Sequence, residues 1–383
     1  MAGIERYLMA QVKKCIKPNK VLIIYGARRV GKTQLIRSLL ADIPVQDYLI
    51  MNGEDAVTER LLQHQSVANY RRLIGNKTLL VIDEAQHIDE IGRKLKLMVD
   101  EIEGLSVIVT GSSVFDLSNK LGEPLVGRKS TLHLHPLAQL EMNNHEDLFQ
   151  TTSRLEDRML YGGYPELWHM SDARDKEAYL LEMVDSYLLR DILSYEGIRK
   201  ARKIHDLLRL LAYQVGKEVS VHELANNLQG ISRNTVEQYL DLLTKVFVVH
   251  PVGGYSQNLR KEVTKNKRWY FYDNGIRNAI IRNFAPLAIR NDVGELWENY
   301  LIAERIKYQG STESSAKNHY WRTYDQQEID WVEREGDQLR AYEFKWSMKK
   351  KVKVPKAWSV NYPEASFEII HQDNYLDWIS PVV

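Results

Sequence analysis

The chain has 383 residues, 44% of them hydrophobic and 27% charged, which gives room for two or three globular domains. No apolar run reaches the roughly 20 residues needed to span a bilayer, so the expectation is a cytoplasmic protein with no membrane partner. A formal net charge of +1 gives no global pull toward nucleic acid, and the single cysteine, Cys15, excludes an intrachain disulfide and a thiolate zinc site.

Residues 1–16 carry Ile4, Leu8, Val12 and Ile16 at helical spacing, interrupted by charges. This predicts an amphipathic helix packed on the next domain rather than a signal peptide. Five strands are then expected near 21–25, 46–51, 79–83, 106–110 and 131–135, with helices between them, which is the pattern of a doubly wound parallel sheet. The first strand runs into Gly26, Ala27, Arg28, Arg29, Val30, Gly31, Lys32 and Thr33, with Gln34 opening a helix. This is a complete phosphate-binding loop in its strand–loop–helix context. The glycines let backbone N–H groups close on phosphate oxygens, Lys32 reaches the β- and γ-phosphates, and Thr33 holds Mg²⁺. A nucleoside triphosphate, ATP, is the predicted ligand.

The third strand ends in Asp83 and Glu84. Asp83 is placed to hold the Mg²⁺ shell and Glu84 to polarise an attacking water, which argues for hydrolysis rather than passive binding. The fourth strand ends in Thr110, Gly111, Ser112 and Ser113. Ser112 is the first choice for a side chain that senses the γ-phosphate or the water, Thr110 the second. Arg128, after Leu125-Val126-Gly127, is a candidate to stabilise phosphoryl charge in cis or across a subunit boundary.

These motifs together resemble one branch of the AAA+ ATPases, common in bacteria and archaea, that carries a C-terminal domain of unknown function. Tyr161-Gly162-Gly163-Tyr164-Pro165-Glu166 and Tyr187 to Asp191 are similar to its connecting region. The resemblance implies ATP hydrolysis with Mg²⁺ and a homo-oligomer, a hexameric ring among its forms, in which Arg128 or a neighbouring arginine completes the next subunit's site.

Helical character continues to about residue 213. From 200 to 273, two short helices around a glycine turn, then Phe247–Pro251 and Arg268–Tyr272, read as a helix-turn-helix with wing strands. On this reading Ser232, Arg233, Asn234 and Gln238 face a DNA groove, with Val236, Tyr239, Leu240 and Leu243 behind them. A basic wing (Arg260, Lys261, Lys265, Lys267, Arg268) straddles phosphate. Packing against the chain's own ATPase domain or a protein partner is the competing use of the same fold.

A helix follows from Gly294 to Glu304, then strands around 320–324, 327–332 and 340–346. Glu343 and Lys345 share a strand face, and Asp330 and Glu298 can converge on them. Carboxylates holding Mg²⁺ beside a lysine suit phosphodiester hydrolysis. The set resembles the PD-(D/E)xK nuclease fold, departing from it in having Ile329 before the aspartate. Lys349, Lys350, Lys351, Lys353 and Lys356 follow, as DNA contacts or a solvated loop.

The expected fold class is therefore α/β. It comprises a P-loop AAA+ ATPase core with a parallel sheet (1–150), a helical connector or lid (151–200), a winged helix-turn-helix (201–280) and a restriction-endonuclease-like α/β domain (281–383). The expected activity is ATP-driven processing of duplex or branched DNA, with metal-dependent cleavage in the tail as an added expectation. The alternative is a nucleotide-dependent switch that binds protein partners through its winged helix and an inactive tail.

Overall fold

Val21–Tyr25 is apolar throughout and buried throughout, as a strand covered on both faces must be. In a computed structural model, which describes residues 4–112, 125–188, 192, 201–256, 266–348 and 352–381, this segment is β1 of a five-stranded sheet. Its companions are β2 (Tyr48–Asn52), β3 (Leu79–Asp83), β4 (Ser106–Gly111) and β5 (Lys129–His133). They are ordered β2-β3-β4-β1-β5, every neighbour parallel. The carboxyl ends of β1, β4 and β3 therefore lie side by side, with β4 in the middle.

Helices flank this sheet with apolar stripes at helical spacing. Lys32–Leu40 buries Leu35, Ile36, Leu39 and Leu40, and Ile91–Glu101 buries Ile91, Leu95, Met98 and Val99. The N-terminal helix is shorter than the sequence predicts, spanning Met9–Cys15. Ile16 is already extended, and Pro18 biases the residue before it away from helical geometry.

The chain forms two compact units, Met1–Leu137 with Lys245–Phe247, and Ala138–Thr244 with Val248–Val383. The second is built on a seven-stranded sheet ordered β12-β11-β10-β9-β7-β8-β6. Its strands are β6 (Glu218–Val219), β7 (Val249–Gly254), β8 (Lys267–Phe271), β9 (Lys317–Arg322), β10 (Glu328–Glu335), β11 (Gln338–Phe344) and β12 (Ser366–Ile370). Strands from the helix-turn-helix segment and from the tail thus share one sheet, joined where β7 runs parallel to β9 through Gly253–His319 and Gly254–Tyr320. β12 adds in parallel to β11 and was not anticipated from the sequence.

Before β7 the order is helix Ala201–Tyr213, β6, helix Val221–Leu228, a turn at Gln229-Gly230 with positive φ, and helix Arg233–Lys245. The last helix buries Val236, Tyr239, Leu240, Leu242 and Leu243, the rear face expected for it. The connector's Gly163 N–H donates to Asp273, whose carboxylate also caps the helix Asn274–Ile280. That single buried acid ties the Tyr161–Glu166 motif to the segment after β8. Ser113, Leu189, Arg190, Asp191, Arg260, Lys261, Lys265, Lys349, Lys350 and Lys351 lie outside the described residues.

Candidate functional site

The candidate nucleotide site is assembled where β1 and β3 end. Gly31 has φ 96°, left-handed backbone that favours glycine, and it caps the helix that starts at Lys32. A Cβ on Gly26 would lie 2.3 Å from the Leu134 carbonyl oxygen, so the loop can leave β1 along this path only as glycine. Both positions explain why the motif needs its two glycines here.

Lys32 is 5% exposed, and its ammonium donates to the carbonyls of Gly26 (2.9 Å) and Ala27 (3.2 Å). It also lies 3.7 Å from Glu84 Oε1. The Thr33 hydroxyl donates to Asp83 Oδ2 at 2.7 Å, bringing the two expected Mg²⁺ ligands into contact across the helix start and the strand end. Two oxygen donors, one of them a carboxylate, suit a hard divalent cation, so these residues fit Mg²⁺. Arg28, Arg29, Val30 and Gln34 stand within the loop and the first helical turn, Val30 buried and Gln34 exposed.

Two side chains that sequence reasoning gave no such role organise the acids. Thr110, fully buried, donates its hydroxyl to Asp83 Oδ1 and accepts the Glu84 backbone N–H at 3.0 Å. Gln86 donates from Nε2 to Glu84 Oε2 (2.6 Å) and to Ser112 Oγ (3.3 Å), so Ser112 meets the site through Gln86. Arg6 adds a clamp from outside the motif, donating to the carbonyls of Val30 and His135, both at 2.6 Å. A polar residue ending an apolar strand was the available signal for Thr110. For Arg6, more than 120 residues from one of its partners, there was none.

Arg128 is placed elsewhere. Its carbonyl accepts from Val21 N, at the amino end of β1, and its guanidinium pairs with Asp100. The loop lies at the other end of that five-residue strand, roughly 16 Å away by strand rise. The in cis role expected for Arg128 is therefore corrected. In a parallel sheet, the residue before a strand sits opposite the carboxyl-end site.

The second constellation lies in the other unit. Glu298 comes from the helix Val293–Ser311, Asp330 from β10 and Glu343 from β11, and Lys345 follows β11. Lys345 Nζ donates to Glu343 Oε1 at 2.6 Å, as the shared strand face predicts. Asp330 Oδ2 accepts from Phe344 N at 2.9 Å, and Glu298 Oε1 accepts from the Tyr270 hydroxyl at 2.7 Å. Burial, with the Asp330 charge second, pushes Glu298 up to about 8 and Glu343 up to about 7; burial also raises Asp330.

Arg268, expected to contact DNA from the wing, is instead 4% exposed and sits in this cluster. Its guanidinium lies 3.8 Å from Glu298, 3.7 Å from Asp330 and 3.0 Å from Glu328. β8 is an interior strand between β7 and β6, so only Lys267 at its start is exposed. A divalent ion joining Glu298 and Asp330 would stand about 2.1 Å from each oxygen, in the region the guanidinium contacts. Among the described residues, no three acidic, histidine or cysteine side chains group as metal ligands. Glu298, Asp330 and Glu343 as arranged do not fit the Mg²⁺ that the sequence suggests for them.

On the helix Arg233–Lys245, the expected DNA-facing residues Ser232, Arg233, Asn234 and Gln238 are all exposed. Ser232 caps the helix through Thr235 N (3.2 Å), and Arg233 pairs with Glu237 at 3.0 Å. No helix among the described residues is long and apolar enough to cross a membrane.

The segment that carries the first site matches a known family. Residues 18–143 match an AAA domain, 152–287 a domain of unknown function (DUF8612) and 293–374 another (DUF4143). An uncharacterized protein of Methanocaldococcus jannaschii is 24% identical over 335 residues, 82% of this chain and 72% of that one. One from Haemophilus influenzae is 26% identical over 364 residues, 88% of this chain and 85% of the relative. AMPPCP-bound DnaA from Aquifex aeolicus aligns at 16% identity over 62% of this chain and 84% of that one, with a TM-score of 0.27, a likeness too slight to argue from. The chain thus matches an AAA domain over the segment of the first site and a DUF4143 domain toward its C-terminal end.

Proposed function

We propose that this protein hydrolyses MgATP to act on duplex or branched DNA. The observation that carries the reading is the meeting of Lys32, Thr33, Asp83 and Glu84 at the carboxyl ends of β1 and β3, on either side of β4 in one parallel sheet. In open α/β sheets that edge is where ligands bind.

Backbone N–H groups of the loop and the start of the helix at Lys32 bind the phosphates. Lys32 exchanges its contact with Glu84 for phosphate oxygens, which frees that carboxylate. Thr33 and Asp83 would hold Mg²⁺, which when bound neutralises charge on the β- and γ-oxygens. Glu84, steadied by Gln86 and by Thr110 through its backbone N–H, orients a water toward the γ-phosphorus and takes its proton. Arg128 faces the site of a neighbouring copy in a homo-oligomer, a hexameric ring among its forms.

A winged helix gives this ATPase its DNA contact. The polar, exposed start of the helix Arg233–Lys245 and its apolar rear support major-groove docking, with Lys267 on phosphate. The tail has a restriction-endonuclease-like fold. The test is the steady-state ATPase rate alone and with single-stranded, duplex and four-way-junction DNA. Stimulation by one of them identifies the substrate, and a Lys32→Ala variant with an unchanged rate would sink the ATPase assignment. A rate that ignores every DNA favours the switch that binds protein partners.

A further inference from the structure

We infer that the acidic cluster of the C-terminal unit holds an internal guanidinium, that of Arg268, as its resident cation and takes no divalent metal. The tail on this account keeps the residues of a metal nuclease site in a form closed to the metal.

Acids and an aromatic ring approach Arg268 from several sides, although its Nε is buried without a hydrogen-bond partner. Glu298 approaches from a helix, Asp330 and Glu328 from β10, and the Tyr320 ring from β9, with the guanidinium carbon 4.6 Å from its centroid. The Tyr320 hydroxyl in turn donates to the Asn266 carbonyl at 2.7 Å, two residues from Arg268, fixing ring and strand together. A flat cation with five donors suits carboxylates on its rim and an aromatic face. A small ion that demands octahedral oxygen ligands near 2.1 Å would have to displace it.

Each of the three acids Glu298, Asp330 and Glu343 also has one donor of its own, while Glu343 Oε2 is buried without a hydrogen-bond partner. Tyr270 holds Glu298, Phe344 N holds Asp330, and Lys345 holds Glu343. Arg268 is fixed to its strand by the β8 ladder, where Arg268 pairs with Glu218 on one side and Val252 on the other. The four acids facing Arg268 and Lys345 favour a cation, and the fold supplies its own.

The experiment titrates Mn²⁺ into the full chain without nucleotide, by calorimetry and thermal melting, for wild type, Asp330→Asn, Arg268→Gln and the double variant. The expected result is that wild type and Asp330→Asn give the same heats and the same change in melting temperature on adding Mn²⁺, since any ion at Thr33 and Asp83 is common to both. Arg268→Gln should gain a Mn²⁺ site that raises its melting temperature, and the double variant should lose that gain. A wild-type Mn²⁺ site that disappears in Asp330→Asn would overturn the inference, and this comparison stands even where Arg268→Gln fails to fold. A folded Arg268→Gln that responds to Mn²⁺ only as wild type does would overturn it as well, because something other than Arg268 would then exclude the ion. None of these readouts depends on ATP hydrolysis.

Discussion

Thr110→Val is the substitution that most sharply tests how Asp83 and Glu84, the acids proposed to serve hydrolysis, are set. Valine keeps the shape of threonine in a fully buried position and deletes one hydroxyl. That hydroxyl donates to Asp83 Oδ1 and accepts from Glu84 N at 3.0 Å, so its loss unties both acids from β4. A hydrogen bond to a charged group contributes about 1.5–3 kcal/mol and a neutral one about 1 kcal/mol, for a combined effect of about 3 kcal/mol in the local structure. Groups that orient a metal's ligands typically alter activity about 10- to 100-fold when removed, or about 1.4–2.7 kcal/mol of barrier. The expected outcome is a kcat for ATP lowered within that range. KM should change less than about threefold, because the loop that binds phosphate is untouched. Thr110→Ser, which keeps the hydroxyl, should stay within about threefold of wild type in kcat. The assay is steady-state phosphate release over an ATP series, with thermal melting to show that each variant is folded. A valine variant with unchanged kcat would refute the bridging role, and a serine variant as impaired as valine would assign the effect to packing.

Gln86→Ala removes the amide that links Glu84 to Ser112, and should lower kcat about tenfold with ATP affinity retained, measured by equilibrium nucleotide binding beside turnover. Lys32→Ala and Arg128→Ala are each expected to be inactive, and mixing them should restore part of the rate if Arg128 serves a neighbour's site; a mixture as inactive as its parts would remove that role. Burial lowers the His250 imidazole from 6.5 to about 4, with Nδ1 3.2 Å from the Tyr272 hydroxyl. The unfolded chain therefore takes up this proton first, and the stability present above pH 6.5 is lost as pH falls toward 4, by about 2–3 kcal/mol, a slope that His250→Phe should flatten in melts across that range.

Much of the first unit is legible because its signals are local. Four aliphatic residues before Asp83, and four followed by Tyr25 before Gly26, fit strands covered on both faces, and the loop's spacing fixes what stands at their ends. The helix Arg233–Lys245 is legible for the same reason, since its buried and exposed positions repeat at 3.6 residues. Thr110 and Gln86 were visible as polar residues near the right strand ends, but Asp83 and Glu84 lie far in sequence from Thr110, as Ser112 does from Gln86, and only the placement of β4 beside β3 brings them together. β12, with alternating partial exposure at the edge of its sheet, gives a weak pattern for the opposite reason.

Arg268 shows where local reading fails. In Lys267-Arg268-Trp269-Tyr270-Phe271 the residues read as a wing strand at the surface, where an arginine beside lysines belongs on phosphate. That reading assumes an edge strand with one wet face. β8 is instead flanked on both sides, and the tail sheet continues beyond β7, so everything after Lys267 is buried whatever its chemistry. A charge confined there needs opposite charges within reach, because leaving it unpaired would cost several kcal/mol. The sequence supplies them 30 to 62 residues later, as Glu298, Glu328 and Asp330. Two of the carboxylates that pattern reading assigns to a metal, Glu298 and Asp330, are thus accounted for by the need to neutralise one buried arginine. Which of the two uses is real depends on a pairing, β7 with β9, that no local window contains.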